Sequence, residues 1–249
     1  MSRLFDTHCH LVDLSEDLKD QLTSHNTIQF LSVGTNPNDW QNTLKISDLY
    51  SSVHSAVGLH PWFVADNYLN DLSLLATILA NASEIKAVGE IGLDFNKKYQ
   101  AYYNEQLIAF EYQLKLANQL ERPVSVHCYK AYNQALQLFK TIPSQGIMHG
   151  FMGGLELAKQ FVKQGLYIGV NGIILNSNAR RYHQMIKGIG LANLVLETDA
   201  PYGANLPSLF PFDVLPKIAT QVATLLACSV EEVIDQTGYN ASMILLKDS

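Results

Sequence analysis

Short apolar runs alternate with longer helical patterns along the whole chain, and this alternation restricts the fold more than any other feature of the sequence. Strand-like runs occupy residues 4–8, 27–33, 54–58, 87–91, 124–128, 146–149, 167–170 and 194–197. Helical patterns lie between them near 39–50, 69–81, 100–119, 133–140, 155–164 and 180–189. Three more follow the last strand, at 213–227, 231–236 and 240–247. In Gln106-Leu107-Ile108-Ala109-Phe110-Glu111-Tyr112-Gln113-Leu114-Lys115-Leu116-Ala117 the apolar residues recur at helical period, so one face is expected to cover a sheet. Repeated strand–helix units build a parallel sheet, and eight of them favour closure into a barrel over an open doubly wound sheet. The expected fold is an α/β (β/α)8 TIM barrel, with residues 1–249 forming one domain.

In such barrels the reacting groups stand at the C-terminal ends of the strands and on the loops that follow. Six residues fall there: His8, His10, Glu90, His127, His149 and Asp199, on strands one, four, five, six and eight. Strand side chains alternate faces, so His8 and His10 are expected to project together, with Asp6 behind them. Glu90 interrupts an otherwise apolar strand, which is costly unless a cation or donor satisfies the carboxylate. Imidazoles and carboxylates gathered at one end of a barrel suit a divalent-metal hydrolase. Four histidines and two carboxylates exceed one tetrahedral site, so the expected count is two ions, with Glu90 as the bridging ligand. The imidazole-rich set favours Zn, Mn, Fe or Co, while Mg supplied by the cell is also compatible.

Neighbouring polar residues are expected in supporting places. Asp6 and Glu197 read as acceptors that orient imidazoles or pair a buried cation. Asp94 is read either as a substrate contact or as a helix cap, and His60 as a residue at the pocket mouth. His25, His54 and His183 read as surface or structural residues. Cys9 and Cys128 are expected to face the helices, and Trp62 and Phe63 either to pack or to form a stacking wall for a base.

Composition closes off other classes. With 47% apolar and 16% charged residues the chain can bury a full core and is not disordered. A net charge of −6 disfavours non-specific nucleic-acid binding without excluding a local basic rim. The three cysteines lack CxxC spacing, and the first strand starts too early to follow a signal peptide, so a reduced cytoplasmic setting is expected. No apolar stretch approaches the roughly 20 residues of a membrane span, and no protein partner is indicated.

At these residues the sequence resembles the TatD-related metal-dependent deoxyribonucleases, a branch of the metallo-dependent hydrolase barrels. Asp6-Thr7-His8-Cys9-His10-Leu11 resembles the opening motif of that family. Val57-Gly58-Leu59-His60-Pro61 and Ala87-Val88-Gly89-Glu90-Ile91-Gly92-Leu93-Asp94 resemble the middle motifs. Leu196-Glu197-Thr198-Asp199-Ala200-Pro201-Tyr202 resembles the closing one, and Asn240-Ala241 fits the C-terminal helix. The resemblance implies His8, His10 and Asp199 on one ion, His127 and His149 on the other, and Glu90 between them. It further implies phosphodiester hydrolysis by metal-activated water, with Asp199 as general base, on single-stranded DNA or 3′ ends. Lys97, Lys98, Lys130, Arg180 and Arg181 are candidates to line a backbone track.

The chain departs from the family in three places. Tyr129, followed by Lys130, stands where members usually carry an arginine. Asn205-Leu206-Pro207 follows Asp199 after a short loop without a basic residue. His149-Gly150-Phe151-Met152-Gly153 replaces the more common His-Cys-Phe-Ser-Gly. A weak basic rim and negative net charge leave an alternative on the same two ions, a small carboxyl-ester, amide or lactone substrate. More distant readings are a phosphate monoesterase on a related barrel and a scaffold that has lost catalysis.

Overall fold

A computed structural model describes residues 4–21, 27–203 and 211–246. Eight strands alternate with helices: β1 (Leu4–Cys9), α1 (Glu16–Asp20), β2 (Ile28–Gly34), α2 (Pro37–Leu49), β3 (Val53–Val57), α3 (Tyr68–Asn81), β4 (Ala87–Asp94) and α4 (Tyr103–Gln119). The second half continues with β5 (Val124–Tyr129), α5 (Tyr132–Thr141), β6 (Gly146–Met148), α6 (Leu155–Lys163), β7 (Leu166–Val170), α7 (Arg180–Ile189), β8 (Leu194–Leu196), α8 (Pro211–Leu226) and α9 (Val230–Leu245). The strands are parallel and neighbour one another in chain order, β1 to β8. Beyond the strand ends, Asp199 N–H donates to His8 C=O at 2.9 Å and His10 N–H to Ala200 C=O at 2.7 Å. These bonds bring the start and end of the sheet together, as the TIM-barrel expectation requires.

Two apolar layers hold the barrel. Inside it, Phe5, Leu31, Val33, Ala56, Ala87, Ile147 and Val195 pack together, and Ala241, Ile244 and Leu245 of α9 plug the floor. Outside it, a larger cluster fills the space between strands and helices, with Trp40, Phe110, Phe139 and Phe161 among its fully buried members. Local signals set the helix starts. Asn36 and Asp39 form a capping box before α2, and Ser229 and Glu232 form one before α9, each satisfying N–H groups that the first turn leaves unpaired.

The structure departs from the sequence reading in particular places. The two helical patterns at 231–236 and 240–247 are one helix, α9, through buried Gly238. A glycine there costs about 1 kcal/mol against alanine, which the burial of Val233, Thr237, Asn240, Ala241 and Ile244 offsets. The short helix α1 in the first crossover had no counterpart in the sequence reading. His25 and Asn205-Leu206-Pro207 lie outside the described residues. Among the described residues no single helix is long and apolar enough to cross a membrane.

A half-buried titratable group lies away from the strand ends. His54 Nε2 sits 3.0 Å from Gln29 Oε1, and the ring stacks on Phe5 at 5.7 Å. Burial, assisted by Lys86, pushes its pKa down to about 4 from an ordinary 6.5. A depressed folded pKa means that acid protonates this ring in the unfolded chain first. Its contribution to stability is therefore present above pH 6.5 and is lost as pH falls towards 4. The thermal midpoint of His54→Gln is expected to fall less than that of the parent between pH 7 and about 4, measured by circular dichroism.

Candidate metal centre

Two irregularities in the sheet aim the central side chains. The β1–β2 register shifts between Asp6 and Cys9, and the β4–β5 register shifts between Val88 and Ile91. A bulge redirects the side chains beside it, and here the bulges carry His8 and Glu90. The shift in β1 also overturns the expectation for Asp6. Its register partner Phe30 belongs to the outer cluster, so Asp6 does not share a face with His8. Asp6 instead accepts from Thr198 N–H at 2.9 Å, from the Thr198 hydroxyl, and from His8 N–H at 3.3 Å. It ties β1 to the loop that carries Asp199. Close backbone approach explains the glycines of β4. Gly92 has φ +137°, and a Cβ there would enter the His127 carbonyl.

Glu90, only 3% exposed, occupies the centre. Its Oε2 lies 3.5 Å from His8 Nε2 and 3.7 Å from His10 Nε2. Its Oε1 lies 3.3 Å from His127 Nδ1 and 3.4 Å from His60 Nε2. Asp199 faces His10 Nε2 at 3.5 Å and His149 Nε2 at 3.9 Å. The structure therefore brings all six sequence-selected residues to one end of the barrel.

Three groups of ligand atoms lie within 4.8 Å of one another: His8–Glu90–His149, His8–His10–Asp199 and His60–Glu90–His127. Among these, none joins His127 to His149, the pairing that the family resemblance implies. His149 instead stacks on His8, with ring centroids 3.4 Å apart.

The electrostatics follow from crowding in a buried space. Burial would raise Glu90, but the His60 and His8 imidazoles outweigh it and hold its pKa well below the usual carboxylate range. Asp199 is likewise lowered, its burial outweighed by His149 and His10. The stacked His8 and His149 rings resist being charged together. Burial and His149 lower His8. Burial also works against charge on His149, but Glu197 and Asp199 push it up to about 10. Without a metal, such a cluster holds protons where a cation would replace them.

Hydrogen bonds decide which nitrogens are available. His8 Nδ1 is 3.1 Å from Ser125 Oγ, while its Nε2 is buried with no hydrogen-bond partner. That leaves a lone pair directed at the centre when Nδ1 carries the proton. His149 Nδ1 faces Glu197 Oε2 at 3.2 Å, and Glu197 also accepts Gly150 N–H at 2.8 Å. Glu197 thus takes the orienting place expected for it. His127 Nε2 faces Asp94 at 3.3 Å. Asp94 also accepts from the Trp62 indole N–H and from Asn96 N–H at 2.8 Å, so it orients a histidine and fastens a turn.

His60 behaves differently. The Trp62 backbone N–H donates to His60 Nδ1 at 3.1 Å, and burial lowers its pKa to about 4 despite Glu90. The neutral ring therefore carries its proton on Nε2, towards Glu90, and donates to that carboxylate.

The sequence reading put His60 at the mouth; the structure buries it to 3% exposure. The reading also missed two glutamines on the covering face of α4. Gln113 clasps Leu59 by accepting its N–H at 2.7 Å and donating to its C=O at 3.1 Å. Gln106 accepts Asp94 N–H at 2.9 Å. Their signal was polar residues at buried helical positions. Cys9 donates to Leu31 C=O and joins the outer cluster, away from the centre.

The model of the TatD related DNase family matches residues 5–246. A Haemophilus influenzae protein described as an uncharacterized metal-dependent hydrolase is 34% identical, over 79% of this chain and 80% of its own length. The 3′-5′ ssDNA/RNA exonuclease TatD of Salmonella typhimurium is also 34% identical, over 75% of this chain and 70% of its own. The crystal structure of the TatD homologue YjjV of Escherichia coli superposes with a TM-score of 0.87, at 29% identity and 98% coverage of both chains.

The Gln113 clasp holds the loop that carries His60. Replacing it by leucine strands a buried N–H and C=O of Leu59, so Gln113→Leu is expected to destabilise the protein by about 1–3 kcal/mol in urea titrations.

Proposed function

This chain belongs to the family of TatD-related DNases, and from that premise we propose a metal-dependent exonuclease that hydrolyses phosphodiesters of single-stranded DNA at 3′ ends. The observation that carries this reading is the placement of Glu90, whose two oxygens face separate imidazole groups. A carboxylate so placed would help to hold two cations. The proposed ligands are His8, His10 and Asp199 for one ion, Glu90 as the bridge, and for the other His127, which faces the second Glu90 oxygen, with His149, which in this geometry stacks on His8. The unpaired, buried His8 Nε2 fits that assignment. Imidazole-rich donors suit Mn or Zn, and Mg under cellular supply.

Two bound ions would supply Lewis acidity, activating water and offsetting negative charge on the phosphate oxygens. This chain's own residues do the rest. Asp199, ionised through the pull of His149 and His10, accepts the proton of the attacking water. Glu197 and Asp94 hold His149 and His127 in their ring orientations. His60 donates to Glu90 and fixes its carboxylate plane. The names of the relatives favour a phosphodiester over the carboxyl-ester, amide or lactone alternative.

Chelation by EDTA is expected to abolish hydrolysis of single-stranded DNA, and added Mn or Mg to restore it. Asp199→Asn should lower kcat by about 10²–10⁴-fold at saturating metal; retention of parental activity would remove the general-base assignment. Glu90→Ala is expected to lose both ions, because two cations without a bridge repel. A metal-to-protein ratio equal to the parent by elemental analysis would refute the bridging role.

A further inference from the structure

Aromatic side chains stand exposed on both flanks of the metal centre. Trp62 is 52% exposed and Tyr202 66% exposed, whereas the other tryptophan, Trp40, is fully buried. The Trp62 ring lies 5.0 Å from His60 and 6.2 Å from His127, on the side of Glu90 Oε1. Tyr202 lies 5.4 Å from His10, on the side of Asp199. Both rings are held in place. The Trp62 indole N–H donates to Asp94, and Tyr99 lies nearly parallel to the ring at 6.0 Å. The Tyr202 hydroxyl donates to Asp13 at 3.1 Å.

A fixed, exposed aromatic beside the site is pre-organised for a stacking partner. Cations stand nearby as well, the Lys98 ammonium lying over the Tyr99 ring at 5.0 Å. Position 129 carries an exposed tyrosine, and the adjacent Lys130 ammonium lies over that ring at 5.1 Å. The chain as a whole carries −6.

Resting on the nuclease reading above, we propose that Trp62 and Tyr202 are base-stacking positions on either side of the scissile phosphate. They select unpaired nucleic acid by its nucleobases, beside whatever phosphate contacts the cations make. Every base offers a π-face, so the selection tolerates sequence. A duplex keeps its bases stacked on one another and cannot offer a face to both rings.

The test uses the metal-loaded protein and a hydrolysis-resistant phosphorothioate oligothymidylate. With Trp40 buried, quenching of tryptophan emission reports on Trp62. Quenching is expected with the single strand and not with a duplex of equal length. By fluorescence anisotropy of a labelled strand, Trp62→Ala and Tyr202→Ala should bind about ten-fold more weakly, while Trp62→Phe and Tyr202→Phe keep most of the affinity. Both Trp62 variants lack the bond to Asp94, and both Tyr202 variants the bond to Asp13. The phenylalanine–alanine difference therefore isolates the ring.

The ratio of kcat/KM on oligothymidylate to that on bis(4-nitrophenyl) phosphate should fall about ten-fold in the alanine variants alone. Equal losses in phenylalanine and alanine variants, unchanged emission, or equal affinity for duplex would overturn the stacking assignment. Binding with quenching, but no hydrolysis of either ester by the parent, would overturn the nuclease reading and leave the stacking assignment standing.

Discussion

A carboxylate almost removed from water sets the terms for the rest of this protein. Glu90 stands in mid-strand with 3% exposure, and an isolated charge there would be prohibitively costly. Four imidazoles compensate it, drawn from β1, the loop after β3 and the end of β5. The same compensation makes the cluster a receptor for cations. Structural need and chemical use thus meet in one group.

Barrel closure and site assembly are also one event. Backbone bonds between the end of β1 and the segment after β8 bring His8 and His10 beside Asp199. Asp6 reinforces that seam through Thr198, and burial pushes the Asp6 pKa up to about 7 even though Thr198 and His8 donate to it. Asp199 itself has φ +57°, a left-handed conformation that aspartate tolerates better than most residues. The chain accepts that local cost at the residue assigned as base, a pattern common where strain and function coincide.

Much of this was legible in the sequence because it depends on local pattern. Eight apolar runs separated by helical periodicity specify the barrel, and polar residues at the ends of those runs specify where chemistry gathers. What escaped depends on register and on distant packing. Alternation put Asp6 behind His8, but the bulge in β1 breaks that alternation. Thr237-Gly238 looked like a break, yet packing of α9 into the barrel floor carries the helix through. Gln106 and Gln113 looked like ordinary positions on a covering helix; only the folded chain shows which backbone groups they satisfy. His60 seemed peripheral because its motif lies on a loop, and that loop folds inward over Glu90.

The plug beneath the barrel has a further implication for biogenesis. Ala241, Ile244 and Leu245 follow every strand in the chain, yet Phe5, Leu31 and Val195 rest against the layer they complete. A ribosome-bound polypeptide that has not yet released α9 holds a cylinder open at one end, with apolar lining exposed to solvent and to chaperones. Long-range contacts of this kind delay commitment to the native topology until α9 has been made.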